Sequence, residues 1–279
     1  MYVLINDHII SEEKAYIHIK DRGFLLSDGV FETLKVQNGH IEFFNAHYER
    51  LKYSATTLFI PFHYNADALK AMCLELIKEN ELNHSIASMR ITLTRGIGLR
   101  GINFPEKPTP TLLITAAPYH QPVSDQYSRA FITSIIRNQY SPITKLKTLN
   151  YFEPILARNE AHSNGFDEGI MLNTNGFITE CSTANIFFVK DNIVITPSAE
   201  NGILPGIIRN HIIVLCHKNN IKLIEKSVSV NDAMNADEVF QTNSLIGIQP
   251  ISQINEKKFS VDNFIFFKKI SDFYKNNII

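Results

Sequence analysis

Lys145 and Lys147 stand two apart in Thr144-Lys-Leu-Lys-Thr148, and in an extended stretch both side chains point to one face. A lysine amine becomes a Schiff-base nucleophile only where neighbours or burial keep part of it neutral. Glu180 ends the run Phe177-Ile-Thr-Glu180 and precedes Cys181-Ser-Thr-Ala-Asn185, which places a carboxylate at a strand end. Leu204-Pro-Gly-Ile-Ile-Arg209 reads as a helix start. A proline near the first turn and a glycine without a side chain leave the backbone N–H groups open to an anion. Thr242-Asn243-Ser244 follows a strand from Glu238 to Gln241 and could offer hydroxyl and amide donors to the same anion. His47 and Arg50 lie three apart on one helix face, where the arginine could reach a phosphate. Each item also has a plain structural reading: a solvated lysine, a strand terminus, an ordinary helix start, a polar turn.

The elements that must carry these residues read as an α+β arrangement. Phe31 to Gln37 and His40 to Phe44 are β-rich runs around Asn38-Gly39, a hairpin signal. Asn45 to Leu58 and Ala66 to Leu82 have helical apolar spacing, and 85–94 and 111–116 read as strands. The polar, proline-containing stretch 117–125 reads as an interdomain connection, giving a small domain over 1–118, a linker over 119–124 and a larger domain over 125–279. In the larger part, 130–137 reads as a strand. Tyr151 to Asn164 is a helix stopped by Gly165, with Asn150 and Glu153 spaced as a capping box. Strand pairs surround Asn175-Gly176 and recur at 186–189 and 193–196. A helix at 206–219, a strand at 221–228 and a closing helix near 261–274 follow. Strand pairs dominate and helices fall irregularly, so the expected form is a barrel-like mixed sheet with helices outside.

Composition narrows the chemistry. The 279 residues are 44% apolar, enough for a sizeable core, and 27 basic against 28 acidic residues leave a net charge of −1. No basic surplus offers nucleic acid a counterion-releasing face, and no run approaches the roughly 20 apolar residues of a membrane span. Cys73, Cys181 and Cys216 are far apart, without disulfide or metal spacing, and no His-Glu-x-x-His occurs, so the expectation is a metal-free protein of the reducing cytoplasm. Gly96-Ile-Gly98-Leu-Arg-Gly101 fits a dinucleotide fingerprint. However, it runs into Ile-Asn-Phe-Pro-Glu-Lys-Pro-Thr-Pro110, which cannot open the required helix. Arg95 and Arg100 among those glycines suit a loop that clamps a carboxylate instead.

Pyridoxal phosphate needs a lysine for its aldehyde, an acid for its ring nitrogen and a cationic, N–H-rich cradle for its phosphate. Lys147, Glu180, Arg50, the Gly206 helix start and Ser244 match that list in kind. Their order resembles the fold-type IV pyridoxal-phosphate enzymes: branched-chain and D-amino-acid aminotransferases and aminodeoxychorismate lyase. The likeness rests on Asp21-Arg-Gly-Phe-Leu-Leu-Ser-Asp-Gly-Val-Phe-Glu-Thr33, His47-Tyr-Glu-Arg50, Lys147-Thr-Leu-Asn150, Ile178-Thr-Glu-Cys-Ser-Thr-Ala-Asn185 and Leu204-Pro-Gly206. It implies a homodimer with a small N-terminal domain, a larger pseudo-barrel domain and the cofactor between them. It also implies that Lys147 attaches the cofactor and moves the proton, with Lys145 a bystander. By the same likeness Glu180 partners the ring nitrogen, and Tyr151 lies near the phenolate oxygen. The phosphate then falls to Arg50, the backbone of Ile207 and Ile208 after Gly206, and Ser244, with Asn243 beside it.

Three segments lean toward the lyase, which converts 4-amino-4-deoxychorismate to 4-aminobenzoate and pyruvate for folate synthesis. They are Glu180-Cys-Ser-Thr-Ala-Asn185, the arginine loop Thr94–Gly101, and Thr242-Asn-Ser-Leu-Ile-Gly-Ile-Gln-Pro250. D-amino-acid aminotransferases resemble this chain at Arg100, the expected carboxylate grip. They differ in carrying a histidine where Ile102 stands and a tyrosine where Phe31 stands. Transamination of D-amino or branched-chain acids is the alternative.

Overall fold

The computed structural model describes residues 1–120 and 127–278, so most of the expected linker at 119–124 lies outside the described residues. The described residues divide into two compact units, one within 1–120 and 146–150, the other within 127–145 and 151–278.

In the first unit the strands are β1 (Tyr2–Ile5), β2 (His8–Ser11), β3 (Gly29–Gln37), β4 (His40–Ile41), β5 (Ile86–Thr94) and β6 (Thr111–Pro118). Among the described residues they form one antiparallel sheet in the order β2-β1-β6-β5-β3-β4. The β3–β4 turn puts Asn38 at φ 50° and Gly39 at φ 76°, the left-handed pair that the hairpin signal anticipates. β4 is shorter than the run His40 to Phe44 because Phe43 turns to φ 54° and α2 (Phe44–Thr57) begins. α2 buries Phe44, His47, Tyr48, Leu51, Ser54 and Ala55, a stripe at helical spacing that lies on β3. With α3 (Ala66–Glu79) it covers a core of Leu34, Val36, Leu69, Leu76, Ile77 and Met89. Each such side chain contributes roughly 1.5–3 kcal/mol by leaving water. A short helix, α1 (Arg22–Leu26), precedes β3, with the Asp21 carboxylate accepting the Gly23 N–H at its start.

Leu146–Asn150 belongs to this first unit, whereas the 125–279 division would put Lys147 in the second. The reason is backbone pairing: Phe31 N–H donates to Lys147 O and Leu149 N–H to Gly29 O, at 2.9 and 3.0 Å. The same pairing explains why Asn150 is not a helix cap. Tyr151 is the N-cap of α4 (Phe152–Ser163), no side chain caps it, and the Asn150 amide reaches Ser27 O instead.

The second unit contains β7 (Ser128–Arg137), α4, β8 (Glu168–Asn173), β9 (Phe177–Cys181), β10 (Asn185–Lys190), β11 (Ile193–Pro197), α5 (Ile207–Lys218) and β12 (Leu223–Lys226). It continues with β13 (Val228–Ser229), α6 (Val230–Met234), β14 (Glu238–Asn243), β15 (Gly247–Ile254), β16 (Lys257–Lys258) and α7 (Ile265–Lys275). Among the described residues the strand order is β12-β11-β10-β14-β15-β7-β8-β9-β13, with β16 folded onto β15. β9 also packs against β10 and β11, so the sheet curls into a nearly closed pseudo-barrel. Its core includes Ile170, Ile178, Ile186, Phe188, Val239, Ile251 and Phe264. α4 covers β7 and β8, while α5 and α7 lie on β14. The expected strand over 221–228 is two short pieces, and the closing helix starts only at Ile265, after a 3-10 turn at Val261–Asn263.

Candidate active site

Chemistry-bearing residues gather in each unit. In the first, β3 alternates: Glu32 faces α2 and Phe31 the opposite side. Glu32 is 1% exposed, and such a carboxylate must be paired. Arg50 supplies a fork, Nε to Oε1 and Nη2 to Oε2, both 2.7 Å, and His47 Nδ1 lies 2.6 Å from Oε2. Burial pushes the Glu32 carboxyl up, but the Arg50 charge and hydrogen bonds, with His47, outweigh it and bring the pKa to about 2. Burial lowers the His47 pKa despite the carboxylate beside it, so the imidazole is neutral and Nδ1 carries the donated hydrogen. On the other face of β3, the Lys147 ammonium is 4.6 Å from the Phe31 ring centroid, and the Arg90 guanidinium carbon is 3.6 Å from it. Lys147 is half-buried, and Lys145 is exposed.

In the second unit, Glu180 is the penultimate residue of β9 and almost fully buried. Arg137 Nη1 reaches Oε1 at 2.8 Å, while Asn185 Nδ2 and the Leu204 N–H donate to Oε2 at 2.9 and 3.0 Å. Asn185 also donates to Leu204 O, tying the Leu204-Pro-Gly206 segment to β10. Gly206 is the N-cap of α5, with no side-chain cap, and a Cβ there would run into Asn185 Oδ1. Ile207 and Ile208 are the first two helical residues, whose N–H groups have no partner within the helix itself. Thr242 stands opposite Asn185 in the β14–β10 register, and its buried hydroxyl has no partner among the described residues. α7 is the contrast: Glu238 accepts hydrogen bonds from its first N–H groups, Ile265, Phe266 and Phe267.

The first unit holds a fixed arginine and a lysine, and the second a helix start without a side-chain cap and a buried hydroxyl, residue types that a phosphate-bearing aldehyde requires. Residues 29–254 match the model of amino-transferase class IV. The chain belongs to that family. A D-alanine aminotransferase of Listeria monocytogenes is 33% identical over 257 residues, which is 91% of this chain and 88% of the relative. The structure of 4-amino-4-deoxychorismate lyase from Pseudomonas aeruginosa is similar at TM-score 0.86 and 27% identity, covering 99% of this chain and 98% of that one. The branched-chain aminotransferase of Thermoproteus uzoniensis, solved with norvaline, is equally similar in sequence at 27%. Its TM-score is 0.92, over 99% of this chain and 94% of that one.

Other residues singled out in the sequence of this class IV chain are distributed over both units. Asn243 donates to Thr183 O and accepts from the Leu245 and Ile246 N–H groups, so its amide shapes the turn that carries Ser244. Tyr151 lines a cavity of about 310 Å³ with Pro154, Ile155, Arg158, Asn159 and Thr183. Arg100 is exposed on the glycine loop. Arg95, read with it as a carboxylate clamp, is 2% exposed and bound to Asp28 and to Leu58 O and Phe59 O. No helix opens at Gly101, so the dinucleotide fingerprint has no structural counterpart. Sequence reasoning assigned no role to Glu32, Arg137 or Asn185. The available signal was polarity in otherwise apolar strands, where an ionised side chain demands a partner.

Proposed function

We propose that the chain binds pyridoxal 5'-phosphate and acts as a lyase, converting 4-amino-4-deoxychorismate to 4-aminobenzoate and pyruvate. When bound, the cofactor supplies an electron sink for charge developing at the carbon next to the substrate nitrogen. Lys147 holds the cofactor through Nζ and then carries the proton taken from that carbon. Arg50, oriented by Glu32, meets the phosphate together with the Ile207 and Ile208 N–H groups and Ser244. Glu180 takes the ring-nitrogen N–H, its carboxylate oriented by Arg137, Asn185 and the Leu204 N–H. Arg100 grips a substrate carboxylate.

The observation that carries the lyase reading is the Phe31 ring under the Lys147 ammonium. Where D-amino-acid aminotransferases resemble this chain but place a tyrosine, no hydroxyl is available here to hold an α-carboxylate. Ile102, 82% exposed, likewise replaces a histidine. Buried polar groups built to hold one substrate reject another that leaves them unpaired, and their removal shifts tolerance. The test is incubation of the purified holoenzyme with 4-amino-4-deoxychorismate. Stoichiometric 4-aminobenzoate and pyruvate support the proposal, and neither product overturns it.

A second reading, D-amino-acid transamination, is favoured by the 33% identity to the Listeria D-alanine aminotransferase. It requires D-alanine to bleach the cofactor absorbance and 2-oxoglutarate to restore it. The proposal extends to a homodimer, because Phe24, Leu25 and Leu26 on α1 expose 75%, 55% and 46% of their surface. Sedimentation equilibrium checks it.

A further inference from the structure

The run Asp21–Gly29 carries part of the family likeness but none of the chemistry assigned so far. Arg22 is 4% exposed, although it lies beside an exposed loop. Its Nε pairs with Asp28 Oδ2 at 2.7 Å. The other two nitrogens gather three consecutive carbonyls of the glycine loop: Nη1 donates to Gly101 O and Asn103 O, at 3.2 and 3.1 Å, and Nη2 to Ile102 O at 3.2 Å. The backbone adds two ties at the loop's other end, Arg22 N–H to Gly96 O at 2.9 Å and Gly98 N–H to Lys20 O at 3.2 Å. Gly98 clears the arginine's stem, because a Cβ there would lie 2.8 Å from Arg22 Cδ. Asp28 is itself fixed by Arg95, through Nε and Nη2 at 2.8 and 2.9 Å. The guanidinium plane is thus anchored on one edge and binds the loop with the other.

Only a planar fork can meet a carboxylate and three diverging carbonyls at once, and an ammonium cannot. The carbonyls of 101–103 point inward to Arg22, which leaves Leu99 and Ile102 89% and 82% exposed and Arg100 exposed with them.

We infer that Arg22 is a positioning residue that fixes the 98–103 loop and thereby presents Arg100 to the substrate carboxylate. The second half of this rests on the proposed role of Arg100. The test compares Arg22→Lys, which keeps the charge and loses the fork, with Gly98→Ala, which displaces the arginine stem from the loop side. Three quantities are read on the full-length holoenzyme: the rate of tryptic cleavage after Arg100, kcat, and KM. Losing charge-assisted bonds to the loop should raise cleavage about tenfold and KM about tenfold in both variants, with kcat within about twofold. Arg100→Ala should raise KM similarly, and adding Arg22→Lys to it should raise KM no further. Wild-type cleavage rates in both variants overturn the inference. So does a wild-type KM in both while Arg100→Ala raises it. If Arg100→Ala leaves KM unchanged, the carboxylate reading of Arg100 fails, and the cleavage rates alone decide whether Arg22 fixes the loop.

Discussion

Arg50 and Glu32 form a two-bond fork on the helix-facing side of β3, with His47 as a third member on the same carboxylate oxygen. A guanidinium held this way is ordered before any anion arrives, which lowers the entropy lost on binding. Glu32→Gln keeps the shape and removes the charge. It is expected to weaken pyridoxal phosphate binding about tenfold and to cost about 3 kcal/mol of stability, because a half-buried guanidinium loses its counterion. Equilibrium dialysis and urea unfolding of the apoprotein measure the two effects separately.

Acid should act on this cluster in two windows. Burial holds the folded His47 pKa below its ordinary value of 6.5, so on acidification the unfolded chain takes up the proton first. Stability therefore falls as pH drops below about 6.5. Glu32 has a pKa of about 2 against an ordinary 4.5. Its contribution, about 3 kcal/mol by that difference, is complete above about 4.5 and is lost as pH falls through about 2. His47→Asn should flatten the upper part of the profile and Glu32→Gln the lower part. Urea midpoints between pH 7 and pH 3 read both slopes.

The legible part of this molecule was periodic or chemical. Helical spacing in Phe44–Thr57 and Ala66–Glu79, the Asn38-Gly39 turn and the Gly206 helix start were all written locally. What was hidden depended on pairing between distant segments. Nothing near Asn150 says that residues 146–150 lie along β3, so its cap-like spacing with Glu153 misled. Arg95 beside Arg100 looked like a matched clamp, but one guanidinium faces Asp28 inside the fold and the other faces solvent. Alternation along a strand assigns a side to each residue, yet not the partner waiting there.

Arg137 and Glu180 are a second pair that distance in sequence conceals, at 2.8 Å and both largely buried. Replacing the arginine removes a charged partner from a carboxylate that also accepts from the neutral Asn185 amide and Leu204 N–H. Arg137→Met is expected to cost about 3–5 kcal/mol, as for one member of a buried ion pair. Arg137→Met with Glu180→Gln should recover most of that loss. A double-mutant cycle in urea checks it, and additive effects would mean that the pair does not couple.

The starts of α5 and α7 should respond in opposite ways. At α7, Glu238 accepts three backbone N–H groups, so Glu238→Ala removes a cap and should cost about 1–2 kcal/mol without changing cofactor affinity. At α5 no side chain caps the helix, and the glycine keeps Asn185 Oδ1 close. Gly206→Ala drives a methyl group into that amide. The amide is bonded to both Glu180 and Leu204 O, so the displacement reaches the carboxylate and the helix start together. Alanine is also a poorer N-cap than glycine, so the stability loss combines cap and collision, and cofactor affinity is the quantity that distinguishes this variant. Pyridoxal phosphate affinity should fall at least tenfold in Gly206→Ala, about what the loss of one charge-assisted contact accounts for. Dialysis of both variants, read beside their urea midpoints, separates a helix start that is closed by protein from one that is open to an anion.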